Sequence, residues 1–186
     1  MKRRTIGIIT ALTAAAASVV ALTQGMLSGE AAPTPTSPPA PVTSTAGFDP
    51  CYFVWATQDL PEVREKFQDA VHALFPQAEV RVNAYGENCV AADGSFTFGA
   101  LETDFYVSIP VDDLNDADDL GRIVELVLAL VIEQFPRPLV PGPQDGFVEF
   151  SFTAGAETRT LRASLRLAKE LFEKGLHGAE LLQALE

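Results

Sequence analysis

Cys51 and Cys89 are the only thiols of the chain, and Cys89 lies in the polar stretch NAYGENCVAADGSF at 83–96. A thiol nucleophile needs a neighbouring base, and neither His72 nor His177 lies in a motif that would place it beside a cysteine. Zinc would need four ligands, and the sequence has no Cys-x-x-Cys or His-x-His pair. Since the N-terminus of the chain predicts export, we predict a disulfide between the two cysteines, worth about 4 kcal/mol.

Two carboxylates, Glu102 and Asp104, lie two residues apart in a predicted strand, so both point to the face that carries Tyr106 and Ser108. Their expected separation of roughly 7 Å overlaps that of inverting glycosidases. Any two acids at this spacing satisfy the same criterion, and no feature of the sequence marks either as desolvated. We keep the pair as a catalytic candidate, with ordinary surface carboxylates as the alternative.

A run of five aspartates suggests calcium as a third kind of chemistry. Measured against the EF-hand pattern from its third member, Asp118 and Gly121 fit, but Leu120 and Val127 occupy positions that need oxygen ligands. The alternative is that these acids favour the start of a helix through capping and the helix dipole. The metal candidates are Asp112, Asp113, Asp116, Asp118 and Asp119.

The other catalytic signatures are absent from the sequence, including the Gly-x-Ser-x-Gly elbow, His-Glu-x-x-His, the phosphate loop and the dinucleotide fingerprint. No cofactor is predicted. Three of the 13 Lys and Arg residues and one of the 25 acidic residues precede residue 48, so the region after it carries 10 against 24, a net charge of −14. Such a surface repels nucleic acid and anionic lipid, and we exclude nucleic-acid binding.

The first residues of the chain predict export. A basic start at 2–4 and an apolar stretch from about Ile6 to Leu22 form a signal peptide over 1–31, with cleavage after Ala31. The apolar stretch is close to the ~20 residues that span a bilayer, so an uncleaved anchor is the alternative. Residues 32–47 form a Pro/Thr/Ser-rich linker, and 48–186 a single domain.

The domain begins with a strand and a helix. The apolar run CYFVWAT at 51–57 is typical of a central strand buried on both faces. The following helix has Asp59 as its predicted cap and Pro76 as its stop. Its apolar stripe leaves His72 on the opposite side, which predicts a solvated histidine rather than a ligand.

Two further strands follow, over 78–85 and 95–111, and we expect them to pair antiparallel across a loop at 86–94. The apolar residues of the second strand change parity along its length. A bulge or bend near Gly99 would reconcile the two halves.

The second helix, at about 117–135, is apolar over most of its circumference and must be covered on more than one side. Either the C-terminal helix covers it, or a protein partner or homodimer does so through 123–132. Strands over 147–152 and 158–165 precede the C-terminal helical segment, and one continuous helix from Leu161 is the alternative.

The order β-α-β-β-α-β-β-α predicts an α+β sandwich with a ferredoxin-like core, in which helices cover one face of a mostly antiparallel sheet of about five strands. In a split β-α-β arrangement, Cys51 and Cys89 would lie at opposite ends of the sheet. Either the loop at 83–96 folds back, or Cys51 precedes its strand on an extended arm.

Together these features favour an exported, non-catalytic binding or accessory module of the cell envelope or extracellular space. The alternatives are a secreted hydrolase that uses surface carboxylates and a weak calcium-dependent adhesion module. Contact with a membrane is expected only through the N-terminal segment.

Overall fold

The computed structural model describes residues 51–186, which form an α+β fold. The strands are β1 (Tyr52–Asp59), β2 (Glu79–Val90), β3 (Phe96–Pro110), β4 (Phe147–Ala154) and β5 (Glu157–Ser164). The helices are α1 (Pro61–His72), α2 (Ala117–Gln134), α3 (Leu165–Glu173) and α4 (Gly178–Leu185), with a short 3₁₀ turn at Arg137–Leu139.

The five strands form one sheet in the order β1-β2-β3-β4-β5. Only the β3/β4 pair is parallel, and α2 makes its crossover. The predicted α+β class and the mostly antiparallel five-stranded sheet are therefore confirmed. The ferredoxin-like core is not, because a split β-α-β unit needs a strand between β1 and β2, and here these two strands are direct antiparallel neighbours.

The core lies between the helices and one face of the sheet. Phe105 of β3, Phe150 of β4 and Leu161 of β5 point to this face, and all three are buried against the helices. Strand alternation places charged and polar side chains such as Arg81, Tyr106 and Glu149 on the other side, which we call the open face.

The apolar circumference of α2 is covered by the sheet and by α4, which packs along it. Glu125 joins the two helices, because its carboxylate accepts a hydrogen bond from the Gly178 N–H at 2.8 Å and one from His177 Nδ1 at 2.9 Å. The first of these bonds lowers the pKa of Glu125. The C-terminal helix therefore covers α2, as one of the two expectations had it.

The expectation for β1 was wrong. Instead of a central strand buried on both faces, β1 is an edge strand whose residues of both parities are exposed. A short apolar run does not reveal which strands lie beside it, so the same sequence is compatible with the middle of a sheet or with its edge.

Several local predictions also need correction. Asp59 ends β1 and does not cap α1, which begins at Pro61 without a side-chain cap. His72 is half-buried rather than fully solvated, and its Nε2 donates to the Ala78 carbonyl at 2.8 Å. β2 continues to Val90, so the connection to β3 spans only residues 91–95.

The C-terminal region follows the strand-then-helix prediction. Leu161 and Ala163 lie buried on the inner side of β5, and α3 starts only at Leu165, so the continuous helix from Leu161 is wrong. The parity change in β3 is also confirmed. The β2/β3 register shifts between Tyr85 and Gly86, which leaves Leu101 without a partner.

Candidate functional site

The outer ends of the first three strands extend beyond the helices as a three-stranded ribbon with two exposed faces. We define the aromatic ribbon as residues 51–59, 84–90 and 96–102. Four of its large apolar side chains are mostly exposed, namely Tyr52 at 63%, Phe53 at 66%, Trp55 at 61% and Phe96 at 66%. An exposed apolar patch of this kind is typical of a binding surface.

The predicted disulfide between Cys51 and Cys89 is present, with a Cα–Cα distance of 5.4 Å. Cys51 immediately precedes β1, and antiparallel pairing places Phe53 opposite Cys89. Both cysteines therefore lie at the same end of the sheet, where the disulfide joins the first two strands of the ribbon. A disulfide is typical of proteins that mature in an oxidising, extracellular environment.

Aromatic rings and carboxylates alternate on the open face of the ribbon. The rings of Trp55 and Tyr85 are stacked, with centroids 5.4 Å apart and planes 10° apart. Trp55 lies opposite Glu87 in the β1/β2 pair, and Tyr85 lies opposite Glu102 in the β2/β3 pair. Directly opposite residues share a sheet face, so both carboxylates flank the stacked rings.

The other face of the ribbon carries a groove of about 270 Å³. Phe96 and Phe98 line it together with Asn88 and residues 56–58 of β1. The Oδ1 atom of Asn88 is buried and has no hydrogen-bond partner within the part of the chain that the structure describes. A buried acceptor without a partner is costly, and a ligand that donates an N–H would satisfy it.

Nothing within residues 51–186 pairs with the outer edge of β1. In the described residues β1 pairs with β2 alone, so one row of its backbone N–H and C=O groups has no strand partner. Natural sheets protect such edges with charges, prolines or bulges. The stretch Tyr52–Gln58 has no charge and no proline, and it pairs with β2 without a register shift.

The catalytic candidates Glu102 and Asp104 lie on the open face of β3, as predicted. Asp104 is desolvated, contrary to expectation, with 4% of its surface exposed. Burial, aided by the negative charge of Glu102, raises its pKa to about 6.

The cover over Asp104 is the segment that leads into β4. A side chain at Gly146 would overlap the Thr103 carbonyl and come within 2.6 Å of Asp104 Oδ1, so only glycine fits there. The Phe147 N–H donates to the same oxygen at 3.4 Å. The carboxyl group of Asp104 therefore faces this segment and not an open cleft.

Three of the five aspartates proposed as calcium ligands are engaged around the start of α2. Asp116 is its N-cap and accepts from the N–H groups of Asp118 and Asp119 at 3.1 and 3.0 Å. Asp113 accepts from the Asn115 N–H at 2.8 Å, and Asp119 pairs with Arg122. Within residues 51–186 no group of three or more acidic, His or Cys side chains has an arrangement that could hold a metal ion.

The residues of the ribbon were missed by the sequence reasoning, which assigned Phe53 and Trp55 to a buried strand. One signal was available. The ranges 48–63 and 82–121 contain no Lys, Arg or His, although they include twelve acidic residues. A long stretch without cations beside exposed aromatic residues indicates a specialised surface.

None of the helices in residues 51–186 is both long and apolar enough to span a membrane. No protein-family model, curated protein or solved structure matches the chain.

Proposed function

We propose that this protein is an exported, non-catalytic binding module, and that the aromatic ribbon binds a protein ligand. The observation that carries the proposal is the edge of β1, which has no strand partner in the described part of the chain and along which Tyr52, Phe53 and Trp55 are exposed. The disulfide that joins β1 to β2 supports export, because such bonds persist in oxidising compartments.

The mode of binding is strand addition. An extended segment of the ligand pairs with the free backbone groups of β1, and its side chains contact the exposed aromatic residues on the two faces of the ribbon. Hydrogen bonds along the strand supply affinity, and the pockets for alternate side chains supply specificity. The groove at Phe96 and Phe98 is one such pocket.

One observation supports the hydrolase alternative, and another opposes it. The raised pKa of Asp104 is a property of general acids. However, its carboxyl group lies beneath the segment at Gly146 and Phe147, so a substrate would not reach it without displacing that segment. Binding is therefore the better-supported function.

The sequence also predicted that a protein partner or a second copy of the chain would bind through 123–132. Most of this stretch is buried, and Leu126 is its exposed member at 37%. The ribbon offers several larger exposed side chains, so we assign binding to the ribbon instead.

Peptide selection on the full chain tests the proposal. Peptides from a random library are selected on the wild type and then measured against the double variant Phe53→Ser/Trp55→Ser. Leu139→Ser is the matched control, because Leu139 is 69% exposed but lies outside the ribbon. We expect the double variant to bind at least about tenfold more weakly and the control to match the wild type. Selected peptides that bind all three proteins equally would contradict the proposal, as would a selection that yields none.

A further inference from the structure

We propose that the segment that adds to β1 is cationic, with Lys or Arg side chains alternating with apolar ones. This inference rests on the proposed function and specifies the chemistry of its ligand. The aromatic ribbon has no Lys, Arg or His, and it presents Asp59, Glu87 and Glu102 on its open face. Within residues 51–186 no Lys, Arg or His forms an ion pair with these three carboxylates, so their charges are left for a ligand to neutralise.

The arrangement of rings and carboxylates suits a cation in particular. A guanidinium or ammonium group from the added strand would contact the ring of Trp55 while it also lies near Glu87, which is directly opposite Trp55. The open face already shows this type of contact farther along the sheet. Arg81 lies 4.0 Å from the centroid of the Tyr106 ring.

The alternation of a strand gives the ligand a simple pattern. Successive side chains of an added strand point to opposite faces of the sheet. Those on the open face would lie next to Trp55 and Asp59, with Glu87 one strand farther in. Those on the other face would lie next to Val54 and the part of the groove that Ala56 lines. Cationic side chains thus belong on the first face and apolar ones on the second.

A second copy of this chain is a poorer occupant of the same edge. The charge-free stretch Tyr52–Gln58 would tolerate a copy of itself. The surrounding charges would not, because each ribbon contributes acids and no cation, and each domain carries a net charge of −14. Like charges across an interface oppose association.

Trp55 makes a direct test practical, because it is the only tryptophan of the chain and lies in the ribbon. Its fluorescence is followed in the full chain during titration with blocked peptides of about ten residues, enough to cover the ~26 Å of β1. The first peptide alternates Lys and Val. Its matched partners replace Lys by Ser or by Glu, or replace Val by Pro, which removes the backbone donors that strand pairing needs.

We expect the Lys–Val peptide to change the fluorescence of Trp55 with saturation. The Glu–Val peptide should bind at least about tenfold more weakly, and added salt should reduce the difference by screening. Glu87→Gln should weaken Lys–Val binding about twofold to fivefold. Glu173→Gln, which removes an exposed acid on α3, should leave it unchanged.

The contrary outcomes separate the two proposals. Equal binding of Ser–Val and Lys–Val peptides would overturn the cationic ligand and leave strand addition intact. Equal binding of Lys–Pro and Lys–Val peptides would overturn strand addition and leave the attraction for cations. Saturation by a neutral glucose oligosaccharide with no response to any peptide would overturn both, as would no response to any ligand at millimolar concentration.

Discussion

The same strands have opposite environments at their two ends. Where β2 and β3 run beneath the helices, side chains such as Val82 and Phe105 are almost fully buried. Past the register shift at Gly86, the same two strands join β1 in the aromatic ribbon, where Phe53 and Phe96 are two-thirds exposed. A sheet anchored at one end by a helix-covered core can thus expose its other end for binding. We call the part of the sheet that lies beneath the helices, together with those helices, the helix-covered half.

We expect the largest difference between the two halves when a phenylalanine is removed, because that side chain is buried in the helix-covered half and exposed in the ribbon. Phe150→Ala in the helix-covered half empties a fully buried site and should cost about 3–5 kcal/mol in the free energy of unfolding. Phe53→Ala in the ribbon should change that free energy by less than about 0.5 kcal/mol. Urea denaturation of both variants measures the difference, and equal losses would show that the ribbon also belongs to the core.

The disulfide should be the main constraint on the ribbon. Cys51→Ser/Cys89→Ser removes a link between residues separated by 38 positions and should cost about 2–4 kcal/mol. We expect amide hydrogen exchange to rise first in β1 and the outer part of β2, with α2 still protected. Uniform loss of protection over the domain would contradict a separately anchored ribbon.

Gly86 marks the boundary between the two halves. A side chain there would overlap the carbonyl group of Gly99, so Gly86→Ala should force β2 and β3 apart and cost about 1–3 kcal/mol. Gly99→Ala is the matched control, because its nearest neighbour would be the Glu87 carbonyl at 3.8 Å, an ordinary contact. Thermal unfolding compares the two, and similar stabilities would mean that the close approach at Gly86 is unimportant.

Asp104, near the same boundary, should make stability depend on pH. Its pKa is raised to about 6, so the folded state binds the proton more tightly than the unfolded state does. The stability that protonated Asp104 contributes is therefore lost as pH rises from about 4 to 6, whereas the side chain in Asp104→Asn does not titrate. Above pH 6 the variant should be more stable by about 1–2 kcal/mol, once solvent screening is allowed for. Urea midpoints at pH 4 and pH 7.5 measure this gap, and an equal gap at both values would rule out the raised pKa.

The sequence predicted the helix-covered half well because its patterns are produced by burial. The alternation of Leu161 and Ala163 and the apolar circumference of α2 identified the inner side of β5 and the extent of the second helix, and the structure confirms both. Each pattern reflects a neighbour that removes one face from solvent.

The ribbon was poorly predicted because burial does not produce its pattern. The run at 51–57 is apolar although it is exposed, and no periodicity distinguishes a binding surface from a buried strand. The position of β1 at the sheet edge depends on its pairing with β2, which is distant in sequence. Asp104 is a further case, because the segment at Gly146 that desolvates it lies about forty residues away.

The central claim is that the ribbon binds while the helix-covered half supports it. The most direct measurement is to follow the amide resonances of the full chain during titration with a library-selected peptide. We expect shifts in β1 and in the ribbon parts of β2 and β3, with α2, β4 and β5 unchanged. Shifts confined to α2, or to the open face of β4 and β5, with no shift in β1 would contradict binding by the ribbon.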